Sequence, residues 1–127
     1  MKPNGIPVER RRERRHNLSG NPIAVMRPEP SDPGRLCRLG RFSAEIEYLA
    51  ANGEVAAPTE ALSILAPDFT RGLYLRGLPV RTVSDVPQGP GCGPVSGRRI
   101  LRRVVCFERL SADQQTELEA FILSHKS

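Results

Sequence analysis

Ile100-Leu101-Arg102-Arg103-Val104-Val105-Cys106-Phe107, followed after three residues by Ser111-Ala112-Asp113-Gln114, is the stretch in which the chain changes structural class. The first block is rich in β-branched and apolar residues flanked by arginines, a composition that suits a pleated, half-buried strand. The second is a capping box: the Ser111 hydroxyl can accept from a free backbone amide while Gln114, three residues on, reaches back. Leu118, Phe121, Ile122 and His125 then recur at spacings of three and four, which predicts a helix over residues 111–125. Its apolar stripe is expected to pack on the strands, with Glu117, Glu119 and Lys126 toward solvent. His125 is expected as a terminal surface residue.

Strand signals dominate upstream of that junction. Ile23-Ala24-Val25-Met26 is a short apolar run before Arg27-Pro28, and the three prolines of residues 28–34 require a loop. After Leu36 and a break at Gly40, the block Ser43-Ala44-Glu45-Ile46-Glu47-Tyr48 alternates, with Ala44, Ile46 and Tyr48 inward and Glu45 and Glu47 toward solvent. Asn52-Gly53 is a turn signal, and residues 61–65 read as another strand. Residues 73–75 and 78–83 are separated by Arg76-Gly77, with Pro79 placing the second run at an edge or a strand start. Residues 88–97, with four glycines and two prolines, are expected to form a long flexible turn. With no internal repeat, strands followed by one helix suggest a small antiparallel barrel, closed or plugged by that helix, which would manage the strand edges. The 127 residues suit one domain; 39% hydrophobic and 26% charged residues are globular values, and 12 prolines with 11 glycines imply many turns.

The formal net charge is +5, and five of the nineteen Lys and Arg residues lie in Glu9-Arg10-Arg11-Arg12-Glu13-Arg14-Arg15-His16. A guanidinium can grip phosphate through two parallel hydrogen bonds, stack on a base, or pair with the guanine O6 and N7 edge. Two readings stay open: a site for an anionic, guanine-bearing ligand, or a solvated basic tail. Residues 1–16 are expected to form a flexible basic segment, and residues 17–127 the domain. Cys37, Cys92 and Cys106 lack the spacing of a zinc site and read as free thiols of a reducing cytosol, with Cys37 and Cys106 as small buried hydrophobes. No apolar leader or membrane-length apolar run occurs, so a soluble cytoplasmic protein is expected. Nucleophile, metal and phosphate-loop motifs are absent, which points away from an enzyme and from any metal or cofactor.

The order of these features resembles the PilZ domains, bacterial receptors for cyclic di-GMP. The resemblance rests on Glu-Arg-Arg-x-x-x-Arg over residues 9–15, Ala24-Val25-Met26-Arg27-Pro28, the block ending in Glu45-Ile46-Glu47-Tyr48, Leu78-Pro79-Val80-Arg81-Thr82-Val83-Ser84-Asp85, and the strand-to-helix segment over 104–125. It implies a six-stranded antiparallel barrel with a C-terminal helix. It also implies that Arg11 and Arg15 supply the family's Arg-x-x-x-Arg motif, with Arg10 and Arg14 as an overlapping copy. The family's second motif, Asp/Asn-x-Ser-x-x-Gly, falls on Arg38, Gly40 and Ser43, and none of the three matches. An arginine at 38 offers no acceptor for a guanine edge. The resemblance thus implies a cyclic di-GMP receptor that relays the signal to a partner protein, without specific nucleic-acid binding. The alternative is a degenerate domain that binds no nucleotide and acts as a protein-interaction module.

Overall fold

A computed structural model describes residues 15–28, 33–51, 57–66, 74–88 and 98–126. The strands are β1 (His16–Asn17), β2 (Ile23–Arg27), β3 (Gly34–Leu39), β4 (Ser43–Ala51), β5 (Ala61–Leu65), β6 (Tyr74–Pro87) and β7 (Arg98–Phe107), followed by the helix α1 (Ala112–His125). All pairings are antiparallel, in the order β3-β2-β5-β6-β7-β4, and the pairing of β4 with β3 closes a six-stranded barrel. This is the expected architecture. β1 adds a seventh, two-residue strand. It takes the end of β3 (His16 opposite Leu39, Asn17 opposite Arg38) on the edge whose beginning belongs to β2.

Inward positions carry the core. Leu36, Leu39, Ala44, Ile46, Leu62, Ile64, Leu78 and Val105 are buried inside the barrel, and Leu118, Phe121 and Ile122 of α1 close its mouth. Each such large aliphatic or aromatic side chain contributes about 1.5–3 kcal/mol on burial. The helix begins as read from the sequence: Ser111 Oγ accepts from Gln114 N at 3.1 Å, and Gln114 Oε1 accepts from Ser111 N at 3.0 Å. Among the described residues no helix is long and apolar enough to cross a membrane.

Three bulges set which side chains face inward, because one extra residue on a strand reverses its alternation. In β3 the register shifts between Leu36 and Arg38, so Leu36 and Leu39 both face the core and Arg38 turns outward. In β6 the shift between Thr82 and Ser84 sets Asp85 opposite Arg103. The third lies opposite Leu62 and Ile64, where Gly77 adopts φ +63° and its N–H donates to Ser63 Oγ at 2.9 Å instead of to the ladder. β6 is therefore one strand across Arg76-Gly77 and Pro79, not the two runs expected. Pro79 sits where β6 exchanges β5 for β7 as its neighbour, so its missing N–H is tolerated.

Two further expectations are corrected. His125 is buried: its ring stacks on Phe121 at 4.2 Å, and its Nδ1 lies 3.1 Å from the Phe121 carbonyl. The incoming chain is tied to the same helix end, with Ser19 N and Oγ donating to the His125 carbonyl at 2.7 and 3.0 Å and Leu18 bridging Lys126. Cys37 and Cys106 are half-buried, since the β3 bulge and outward alternation on β7 keep them out of the core. Cys92, the turn at 52–53, the long turn at 89–97 and residues 1–14 lie outside the described residues.

At Gly34 the neighbouring strand β4 leaves no room for a side chain. A Cβ there would meet Ile46 Cγ2 and the Glu47 carbonyl oxygen, the latter at 2.9 Å. Gly34→Ala should destabilise the barrel by about 1–3 kcal/mol, the usual cost of overpacking, measured as a lower urea midpoint at unchanged slope.

Candidate functional site

Cross-strand register builds a charged outer face on β3, β4 and β7. Glu47 lies opposite Arg35 on one side and Arg102 on the other, while Glu45 lies opposite Arg38 and Val104. Arg35 Nη2 reaches Glu47 Oε1 at 2.9 Å, Arg102 Nη2 reaches Glu47 Oε2 at 2.7 Å, and Arg102 Nη1 stands 3.5 Å from Glu45 Oε1. Arg15 completes the row by donating from Nη1 to Glu45 Oε2 at 2.7 Å. The hydrogen bond from Arg102, reinforced by that from Arg35, holds the Glu47 carboxyl below its ordinary range despite partial burial. The same contacts raise Arg35 and Arg102.

Glu45 and Glu47 thus point outward as alternation requires, but the expectation that both face solvent is corrected. Glu45 is only 7% exposed, because Arg15 and Arg102 lie against it. Alternation identifies a face; it does not reveal what covers that face.

The residues singled out in the sequence are brought together in part. Arg10, Arg11 and Arg14 lie outside the described residues. Arg15 leads into β1, whose register places it beside Gly40. The Gly40 N–H donates to the Ser43 carbonyl at 2.9 Å, closing the β3–β4 turn, and Ser43 opens β4 as a buried residue. Arg38 is exposed on the outer face, between Asn17 of β1 and Glu45 of β4. One corner of the barrel therefore holds Arg15, Arg38 and the Gly40–Ser43 turn. Arg41 and Phe42, not singled out beforehand, form the tip: Arg41 pairs with Glu119 of α1 at 3.0 Å, and Phe42 is 58% exposed.

A second charged site is centred on a buried arginine, its counter-ion Asp85 keeping a side chain 32% exposed, and was also missed. Arg103 is 1% exposed. Its Nε and Nη2 fork onto Asp85 at 2.8 and 2.7 Å, Nη2 also donates to Tyr48 Oη at 3.0 Å, and Nη1 donates to Thr59 Oγ1 at 2.7 Å and the Ala57 carbonyl at 3.0 Å. The Tyr48 phenol donates to Asp85 at 3.1 Å, and the guanidinium lies 5.0 Å from the Tyr48 ring centroid. The signal was present: Arg103 alternates in phase with Leu101 and Val105, both core residues.

Scanned against protein-family models and curated protein sequences, the chain matches none. Among solved structures it is similar in fold to the K. pneumonia MrkH–c-di-GMP complex, with a TM-score of 0.60 at 8% sequence identity. The alignment covers 89% of this chain and 51% of MrkH, so the chain spans about half the length of that protein.

The interior network makes two predictions. Asp85→Ala leaves the Arg103 charge buried without its counter-ion and should cost about 3 kcal/mol in urea unfolding; a loss below about 1 kcal/mol would show that water replaces the carboxylate. The second concerns Tyr48, whose phenol burial pushes up to about 12, Arg103 opposing the shift. An unfolded tyrosine releases its proton near about 10, so between these values the unfolded chain binds fewer protons and stability falls as pH rises. Tyr74→Phe leaves Tyr48 as the sole tyrosine of two. Phenolate absorbance in that variant should rise toward pH 12. A rise centred near about 10 in the folded protein would contradict the buried phenol.

Proposed function

We propose that this chain is a cytoplasmic receptor domain for cyclic di-GMP, with a binding rather than a catalytic role. The observation that carries the proposal is the corner where β1 and the β3–β4 turn place Arg15 and Arg38 beside Gly40 and Ser43 on the outside of the barrel. Likeness in fold to a protein solved with c-di-GMP supports it.

In this reading Arg15 and Arg11 grip phosphate and guanine, and Arg10 and Arg14 strengthen the field around them. Arg38 adds a third guanidinium where the PilZ pattern has an acceptor, shifting recognition at that point from the guanine edge toward phosphate. Occupancy would pass to a partner protein through α1, to which both halves of the corner are tied. The turn reaches it through Arg41–Glu119, and the incoming chain through Ser19 on the His125 carbonyl.

The second reading, a protein-interaction module that binds no nucleotide, is favoured by one observation: Arg38, Gly40 and Ser43 replace all three residues of the family's second motif. Calorimetric titration with cyclic di-GMP separates the two. Arg15→Ala or Arg11→Ala should each weaken binding by about 1.5–3 kcal/mol, roughly ten- to 150-fold, whereas Arg12→Ala should do much less. Equal small losses at all three positions, with similar affinity for unrelated polyanions, would reduce the run to a basic tail. No binding by the unaltered protein selects the interaction module.

A further inference from the structure

We infer that Glu45 is a positioning residue: its carboxylate holds the Arg15 guanidinium in place on the barrel face before an anion arrives. The inference rests on the receptor reading for what Arg15 binds. It does not rest on that reading for how Arg15 is held.

Four observations carry it. Glu45 points outward yet is 7% exposed, so its carboxylate is partly withdrawn from water and bound to its neighbours. Its two oxygens are divided, Oε2 accepting from Arg15 at 2.7 Å and Oε1 facing Arg102 at 3.5 Å. Arg102 is anchored in turn on Glu47, and Glu47 on Arg35, at 2.7 and 2.9 Å. Finally, Arg15 spends a single nitrogen on Glu45. Its Nε and Nη2 have no partner among the described residues, and its side chain is 34% exposed.

The row Arg35–Glu47–Arg102–Glu45–Arg15 thus behaves as a brace across β3, β4, β7 and the start of β1. β1 is only two residues long, and among the described residues the Arg15 side chain is hydrogen-bonded to Glu45 alone. An arginine side chain fixed in advance loses less rotamer freedom when it grips a ligand. Three guanidiniums against two carboxylates leave the row cationic, so the brace does not cancel the attraction for an anion.

The opposite role, Glu45 as an internal competitor that must be displaced from Arg15, predicts the opposite sign. Removing a carboxylate beside an anion site strengthens binding on charge alone; removing a brace weakens it. Glu45→Gln keeps the shape and removes the charge, and its melting temperature confirms that it is folded. In the ligand-free protein, NMR relaxation of the Arg15 Nε–Hε group should show a restrained guanidinium in the unaltered chain and a loose one in Glu45→Gln. Calorimetric titration with cyclic di-GMP should give a dissociation constant about fivefold or more higher for Glu45→Gln, the scale of lost pre-organisation. In an Arg15→Ala background Glu45→Gln should cause no further weakening, because Glu45 acts through Arg15.

Tighter or unchanged binding by Glu45→Gln overturns the inference, as does an Arg15 signal equally restrained in both proteins. If the unaltered protein binds no cyclic di-GMP, the receptor reading falls. The Arg15 relaxation comparison alone then decides whether Glu45 braces it.

Discussion

The Arg103 fork onto Asp85 is the interaction around which the barrel is arranged. A guanidinium 1% exposed would cost several kcal/mol if left uncompensated. Here all five of its N–H donors are used, on Asp85, Tyr48, Thr59 and the Ala57 carbonyl. Those acceptors come from β6, β4 and the segment that enters β5, so one side chain on β7 ties together strands distant in sequence. Asp85 reaches it because the bulge before Ser84 reverses the alternation of β6. Slipping either strand by one residue would strand the charge, which makes the network a lock on register.

The same strands carry a different electrostatic arrangement outside. Inside, one cation is sealed and saturated; outside, three arginines and two glutamates share contacts in a row at partial exposure. Exposed ion pairs contribute little to stability, and the value of the outer row lies more in orientation than in energy. Arg102 and Arg103 are adjacent in the chain and take opposite roles because the strand turns successive side chains to opposite faces.

That division sets the proposed ligand corner on the outer wall of the barrel, beside α1. The β3–β4 turn is held by the Gly40–Ser43 hydrogen bond and linked to α1 through Arg41, while the incoming chain is fixed to the end of α1 at His125. Both elements of the corner therefore bear on one helix, which also plugs the barrel through Leu118, Phe121 and Ile122.

Whatever depends on neighbours a few residues apart was determined by the sequence itself. The capping box of Ser111 and Gln114, the helix stripe, the inward alternation of Ala44, Ile46 and Tyr48, and the strand over residues 100–107 all stand in the structure as read. The closed barrel with a terminal helix followed from their order. Tertiary structure decided the rest. A bulge is invisible to a period-two pattern, so the outward turn of Arg38 and the placing of Asp85 opposite Arg103 required the pairing partners. Glu45 is covered by an arginine 30 residues away, and the His125 carbonyl is held by a serine 106 residues away, contacts that only chain closure creates. Local periodicity states which way a side chain points; what waits there is set by long-range pairing, and for Arg103 that made the difference between an exposed charge and the centre of the fold.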